Sequence, residues 1–160
     1  MSDLYRVPKR KLSVRVRTSG DVQESVCVFL SECADGHAGT ERPVDLFNGS
    51  KDFLVVETSE GEVAFLQRGS LSLVIIDLDG GLDEELAGAN LTAGDLDIQE
   101  RIRVLLDDGL ELEGVTRYQL PDGTARLKEH LNGAEPFIPL YQGDRVCLIN
   151  KARIARVTPA

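Results

Sequence analysis

The sequence predicts an all-β protein made of two tandem, small, antiparallel five-stranded barrels joined by an acidic linker. Three observations support this fold class: short apolar segments recur along the chain, turn residues separate them, and one stretch of sequence occurs twice. Alternation of apolar and polar residues with a period of two is typical of half-buried strands. Short strands at close spacing indicate a sheet that curls into a barrel or sandwich, and closure removes the exposed edges of a small open sheet.

Five strands are predicted in the first unit and six strand segments in the second. Within residues 22–30, the pattern places Val26, Val28 and Leu30 on one face. The first-unit strands are residues 12–17, 22–30, 45–56, 62–67 and 71–76. The second-unit segments are residues 101–106, 110–118, 124–131, 137–141, 145–150 and 154–157. Glycine-containing turns separate most of these segments, and no convincing long helix is found.

An internal repeat divides the chain into two comparable units. Residues 44–56 align with residues 128–140 at an offset of 84, and residues 63–71 align with residues 146–154 at an offset of 83. A difference of one residue in a loop accounts for the change in offset. Because a duplicated unit presents two similar surfaces, it favours multivalent binding or ring-like assembly over a single catalytic pocket.

The repeat sets the domain boundaries within the 160 residues. We predict a first barrel with a basic N-terminal stretch over residues 1–76, an acidic glycine-rich linker over residues 77–100, and a second barrel over residues 101–160. Units of this size are only marginally stable alone. We therefore expect the two units to pack on each other or on other subunits.

The net charge of -9 is concentrated between the two units. Residues 1–76 contain nine Lys or Arg and eleven Asp or Glu, residues 77–100 contain eight Asp or Glu and no Lys or Arg, and residues 101–160 contain nine Lys or Arg and eight Asp or Glu. Each unit is close to neutral, and the middle segment is expected to be an exposed linker. A basic face on either unit remains compatible with an anionic partner.

Two segments carry motifs of a known family. Residues 104–115, with an Asp-Asp-Gly turn between two strands, look like the opening strands of that family. Residues 66–71 look like its second motif, in which an Arg-Gly turn precedes the closing strand, and Asp45 and Asn48 are similar to its first motif. On these motifs the chain resembles the Sm-like proteins, whose fold is a five-stranded, SH3-like barrel.

The resemblance implies RNA binding at the positions that match the family's motifs. An amide side chain can pair with a base edge, and a guanidinium can stack on a base or contact a phosphate. The positions that fall where the family binds RNA bases and backbone are Asn48, Arg68, Gly69, Asn132, Lys151 and Arg153. Another interpretation stays open, because Asn-Gly, present at residues 48–49 and 132–133, is also the commonest hairpin turn.

A basic stretch near the N-terminus is the strongest electrostatic feature. Arg15 and Arg17 are expected on the outward face of a strand, where they would extend a positive surface toward nucleic acid, an anionic nucleotide or an acidic protein segment. A solvated terminus, or a contact with the acidic linker, is the alternative. The candidate binding residues in this stretch are Lys9, Arg10, Lys11, Arg15 and Arg17.

No catalytic, metal or cofactor site is predicted. His37 and His130 occupy non-equivalent places, and no nucleophile elbow or phosphate-binding glycine loop is recognisable. Cys27, Cys33 and His37 lack a fourth ligand at a recognised zinc spacing. The three cysteines, without a secretory signal or a long apolar run, predict a cytoplasmic protein with free thiols and no membrane contact.

These observations predict a non-enzymatic binding or assembly module, acting as a scaffold or adaptor, whose two barrels contact protein partners or other copies of the chain. The alternative is an RNA-binding Sm-like protein. A hydrolase or transferase with an unrecognised site forms a third class. No DNA partner is predicted.

Overall fold

The computed structural model describes residues 9–18, 20, 22–31, 41–78, 98–118 and 127–160. Within these ranges it contains ten β-strands, two α-helices of five residues each and two 3-10 turns. The prediction of an all-β protein is confirmed.

The two halves of the chain contain the same elements in the same order. The first-half strands are β1 (Lys9–Thr18), β2 (Val22–Ser31), β3 (Phe53–Thr58), β4 (Val63–Gln67) and β5 (Leu71–Asp77). The second-half strands are β6 (Ile98–Leu106), β7 (Glu111–Tyr118), β8 (Phe137–Tyr141), β9 (Arg145–Asn150) and β10 (Ile154–Pro159). Helices α1 (Pro43–Phe47) and α2 (Leu127–Leu131) precede β3 and β8, and 3-10 turns (Arg68–Ser70 and Lys151–Arg153) precede β5 and β10.

All ten strands form one antiparallel sheet in the order β10-β6-β7-β8-β9-β5-β1-β2-β3-β4. Each half contributes five neighbouring strands, with its last strand beside its first, and β5 of the first half pairs with β9 of the second. The sheet does not close on itself, and β4 and β10 lie at its two edges. Two separate closed barrels are therefore not confirmed, because the described strands continue from one half into the other.

The core consists of two apolar clusters, and each contains residues from both halves. The first cluster, built mainly on β1, β2 and β5, also contains Phe137 and Leu148. The second cluster, built mainly on β6, β8 and β9, also contains Leu73 and Ile75. Strand β5 is consequently buried on both faces from Leu71 to Ile76. A strand covered on both faces requires a nearly continuous apolar sequence, which explains the composition of this segment.

The first part of one predicted strand is a helix in the structure. The strand predicted from residue 45 starts only at Phe53, because residues 43–47 form α1. Pro43 suits the first turn of a helix, where no backbone N–H donor is needed. The Asp45 carboxylate accepts from the Arg42 backbone N–H at 2.9 Å, so it satisfies the backbone donor of the N-terminal cap residue.

Both Asn-Gly pairs follow a helix, so the hairpin-turn interpretation is wrong. Asn48 is the C-terminal cap of α1, and its backbone N–H donates to the Val44 carbonyl at 3.0 Å. Asn132 occupies the same place after α2. The strand predicted over residues 124–131 is wrong where α2 forms, and residues 124–126 lie outside the described ranges.

The predicted boundaries of the acidic linker are too wide. Asp77 is the last residue of β5, because the strand continues opposite Arg145 of β9. Residues 98–100 already belong to β6. Leu78 packs against the first core cluster, and the other residues of the predicted linker, 79–97, lie outside the described residues.

Candidate assembly interface

The pairing of β5 with β9 is the junction that joins the two halves of the sheet. Val74 lies opposite Leu148 and Ile76 lies opposite Val146, and the relative exposure of all four side chains is 0%. Burial of apolar surface from both strands stabilises this junction together with its backbone hydrogen bonds. The junction shows that the β5 edge of the first half fits the β9 edge of the second half.

Helix α1 adds a second contact between the halves. The side-chain amide of Asn48 donates to the Phe137 carbonyl at 3.1 Å, and the Phe137 backbone N–H donates to the Asn48 amide oxygen at 2.7 Å. The rings of Phe47 and Phe137 pack with their centroids 5.8 Å apart. Asn48 thus satisfies both backbone groups of a residue on β8, as a neighbouring strand would.

Arg17 forms a third contact between the halves, and its predicted outward orientation is wrong. Its guanidinium lies 2.8 Å from the Asp108 carboxylate and 3.2 Å from the Ser72 hydroxyl, and its side chain is 5% exposed. Partial burial raises the pKa of Asp108. The N–H of Leu110, the Arg17 side chain and the N–H of Gly20 outweigh burial, so the pKa lies below its ordinary value.

The other residues of the predicted basic stretch do not share one arrangement. Arg10 is exposed. The ammonium of Lys11 lies 3.0 Å from a Glu57 carboxylate oxygen, and the guanidinium of Arg15 lies 2.9 Å from Asp77. The backbone of Lys9 is in β1. Two of these cations therefore pair with carboxylates of the same chain.

Arg68 and Lys151 occupy matching places in the two halves. The guanidinium of Arg68 donates to the Phe47 carbonyl at 3.3 Å, at the end of α1. The ammonium of Lys151 donates to the Leu131 carbonyl at 3.1 Å, at the end of α2. Cationic side chains commonly satisfy the last carbonyls of a helix in this way. A structural role thus accounts for both residues.

Arg153 approaches Gly69 from the other half of the sheet. Its guanidinium donates to the Gly69 carbonyl at 3.4 Å, and a Cβ at Gly69 would meet nothing within 4 Å. Asn132 is exposed, and its amide donates to the Lys128 carbonyl at 2.8 Å. The residues predicted from the Sm-like resemblance thus lie in three places: the contact of the two halves, the end of α1 and the end of α2.

An exposed apolar surface lies at the β4 edge, and sequence reasoning did not single it out. It is formed by two residues of β3 and two of β4 on one side of the sheet, with Val55 directly opposite Phe65. We define the β3–β4 face as Phe53, Val55, Val63 and Phe65, whose exposures are 56%, 49%, 66% and 70%. The sequence feature that could have identified this face is the alternation of apolar residues along β3 and β4.

Most of the matching surface of the second half is buried. By the repeat, Phe53, Val63 and Phe65 correspond to residues with exposures of 1%, 0% and 0%. These residues are Phe137, Val146 and Leu148, and they belong to the core cluster centred on the first half. The first half therefore covers this surface of the second half. Among the described residues, nothing covers the equivalent β3–β4 face of the first half.

A half-buried histidine on α2 and a buried cysteine on β9 both have shifted pKa values. The Nε2 atom of His130 is 3.1 Å from the Thr116 hydroxyl, and its ring stacks on Tyr118 with centroids 4.8 Å apart. Burial, assisted by Lys151 and opposed by Glu135, lowers the pKa of His130 below 6.5. Burial also raises the pKa of the Cys147 thiol to about 11, so this thiol is protonated at neutral pH.

An open cleft of about 510 Å³ lies between β6, β7 and the turn before β9. Arg101 and Arg145 line it together with Glu113 and Asp144, so its charges are of both signs. The Nε atom of Arg101 already donates to Glu113 at 2.9 Å. Its lining residues include no His, Cys or Ser that could act as a base or a nucleophile.

The described part of the chain contains neither a metal-ligand cluster nor a helix able to span a membrane. There, no group of three His, Cys, Asp or Glu side chains is placed to hold a metal ion. Cys27 is a half-buried residue of β2, whereas Cys33 and His37 lie outside the described residues. No helix among the described residues has the length and apolar character that a bilayer crossing demands.

No family model matches the sequence, and comparison with curated proteins and with solved structures finds no significant match.

Proposed function

We propose that this chain is a non-enzymatic assembly module that binds a protein partner, or another copy of itself, through the β3–β4 face. One observation carries the proposal: the corresponding surface of the second half is an interface, buried by the first half. Contiguous exposed apolar patches on soluble domains commonly mark interaction sites.

The size of the face favours reversible binding. Complete burial of a Val or Phe side chain contributes about 1.5–3 kcal/mol, and these four are already partly buried, so the face contributes roughly 4–7 kcal/mol. The loss of translational and rotational freedom on association costs about 4–15 kcal/mol. Strand pairing along the β4 edge, or further contacts, must therefore contribute to a stable complex.

The arrangement of the halves supports a further part of the proposal, namely that each is a copy of one small-barrel unit of the Sm-like type. Both halves have the same strand order, a short helix before the third strand and a 3-10 turn before the fifth. RNA binding remains an outcome of the test, since Arg68 and Lys151 donate to carbonyl groups of their own chain.

Two measurements on the full chain and on Phe65→Glu test the function. Sedimentation velocity reports self-association, and affinity capture from a cell extract reports protein partners. We expect the wild-type chain to self-associate or to retain a defined protein, and Phe65→Glu to lose this interaction. A wild-type chain that stays monomeric and retains nothing beyond what Phe65→Glu retains contradicts the proposal. Equal, salt-sensitive binding of a labelled single-stranded RNA by both chains would favour the alternative.

A further inference from the structure

We infer that the occupant of the β3–β4 face is a second copy of this chain, bound head to tail through the surface beside β10. The inference rests on the proposed function and names its partner. Its basis is the β5–β9 junction, because an interface between repeated units can recur between chains that present the same two surfaces.

The surface beside β10 matches the surface that the first half uses at the junction. By the repeat, α2 corresponds to α1 and β10 corresponds to β5. Three of the apolar side chains are partly buried and pack at the margin of the second core cluster. We define the β10 surface as Leu131, Asn132, Ile154, Val157 and Pro159, which correspond to Phe47, Asn48, Leu71, Val74 and Ile76.

The junction also fixes the register of the proposed contact. Val74 pairs with Leu148 and Ile75 with Cys147. Translated by the repeat, Val157 of one copy lies opposite Phe65 of the next, and Thr158 lies opposite Ala64. Phe65 would then enter the second core cluster beside Val157, as Leu148 enters the first beside Val74.

Asn132 supplies the polar part of the contact. In the first half, Asn48 holds both backbone groups of Phe137. Asn132 is exposed at the matching position, and Phe53 is the counterpart of Phe137 on the β3–β4 face. We assign Asn132 the role of bonding the backbone N–H and carbonyl of Phe53 in the next copy.

The two surfaces have opposite charge. Residues 51–67, which contain β3 and β4, carry four carboxylate side chains and one lysine. Residues 151–160, which contain β10, carry three Lys or Arg and no acidic side chain. Opposite charges also face each other at the junction, although there the acid, Asp77, lies on β5 and the base, Arg145, lies on β9. Opposite potentials favour head-to-tail contact over contact between two identical faces.

The contact between copies is weaker than the internal junction. The Ala160 N–H donates to the Arg101 carbonyl of β6 at 3.0 Å. Backbone groups of successive strand residues point to opposite sides, so the backbone nitrogen of Pro159 faces the open edge, and proline has no N–H to donate there. Arg156 and Thr158 replace Leu73 and Ile75, which enter the neighbouring core at the junction. Association between copies is therefore reversible, and it produces a ring or an open filament.

A mixing experiment with full-length chains tests the inference. The first variant, Phe65→Glu, alters the β3–β4 face and leaves the β10 surface intact. The second, Asn132→Ala with Arg156→Glu, alters exposed residues beside β10 and leaves the β3–β4 face intact. Val22→Glu is the control, because Val22 is 62% exposed but lies on β2.

We expect wild type and Val22→Glu to form large species and each interface variant alone to be monomeric. An equimolar mixture of the two interface variants should form a one-to-one dimer and nothing larger, because it restores one competent pair of surfaces. Asn132→Ala alone should weaken association about tenfold or more through two lost hydrogen bonds. These results would support the inference.

Three results would overturn it. If the β10-surface variant self-associates like the wild type while Phe65→Glu does not, the contact joins two identical faces, and the proposed function survives. If the wild type is monomeric but captures another protein through Phe65, the partner is a different chain, and the proposed function again survives. If the wild type neither self-associates nor captures another protein, both the proposed function and the head-to-tail inference are contradicted.

Discussion

Replacement of Asp108 by Asn tests the connection between the two halves of the sheet. Asn keeps the shape of the side chain but removes the charge that faces Arg17, whose side chain is 5% exposed while that of Asp108 is 14% exposed. Loss of one partner costs about 3–5 kcal/mol in a fully buried pair and about 0.2–1 kcal/mol in an exposed one. Because Asp108 retains some contact with solvent, we expect a loss of about 2 kcal/mol in the free energy of unfolding.

Urea denaturation at pH 7 measures this loss. The lowered pKa of Asp108 means that its contribution is present above the ordinary value of 3.8 and disappears as the pH falls through the folded value. The difference between wild type and Asp108→Asn should therefore shrink under acid conditions. The matched control is Glu113→Gln, since Glu113 and its partner Arg101 are both exposed, at 41% and 59%. A loss for Asp108→Asn no larger than that of the control would refute the reasoning.

Three further predictions concern the interior of the chain. A Cβ at Gly114 would lie 2.6 Å from the Tyr141 carbonyl oxygen, so Gly114→Ala should lower the free energy of unfolding by about 2 kcal/mol, whereas Gly69→Ala should change it little in the same denaturation assay. Because burial raises the pKa of Cys147 to about 11, iodoacetamide at pH 8 should label Cys27 well before Cys147, as read by peptide mass spectrometry; equal rates would contradict this. Since burial lowers the pKa of His130, stability should be full above 6.5 and fall below it, and His130→Gln should reduce this dependence; an NMR titration midpoint at or above 6.5 would be the contrary result.

Strand positions were predictable where apolar residues and turn residues agree. The predicted strands at residues 137–141 and 145–150 match β8 and β9 residue for residue. Alternation placed Val26, Val28 and Leu30 on one face of β2, and all three are buried. Helices α1 and α2 were missed because five residues are too few to display a 3.6-residue period.

Contacts between the halves were not predictable from local patterns. The β5–β9 pairing joins residues far apart in sequence, and periodicity does not state which strands become neighbours. Arg17 follows the alternation of an outward residue, yet it is buried where the turn containing Asp108 lies against it. The β3–β4 face and its buried counterpart in the second half are both apolar in sequence, so the pattern could not tell which one is covered.

Because β5 is buried on both faces by residues from both halves, it stays partly uncovered during translation until the second half is made. Ile76 is translated 70 residues before its cross-strand neighbour Val146. At about 5–20 residues per second, roughly 4–14 s separate their synthesis. During that interval the nascent polypeptide carries an apolar strand whose second cover does not yet exist. Co-translational protection of this segment, or rapid elongation through the following residues, would therefore determine how much of the newly made protein escapes aggregation.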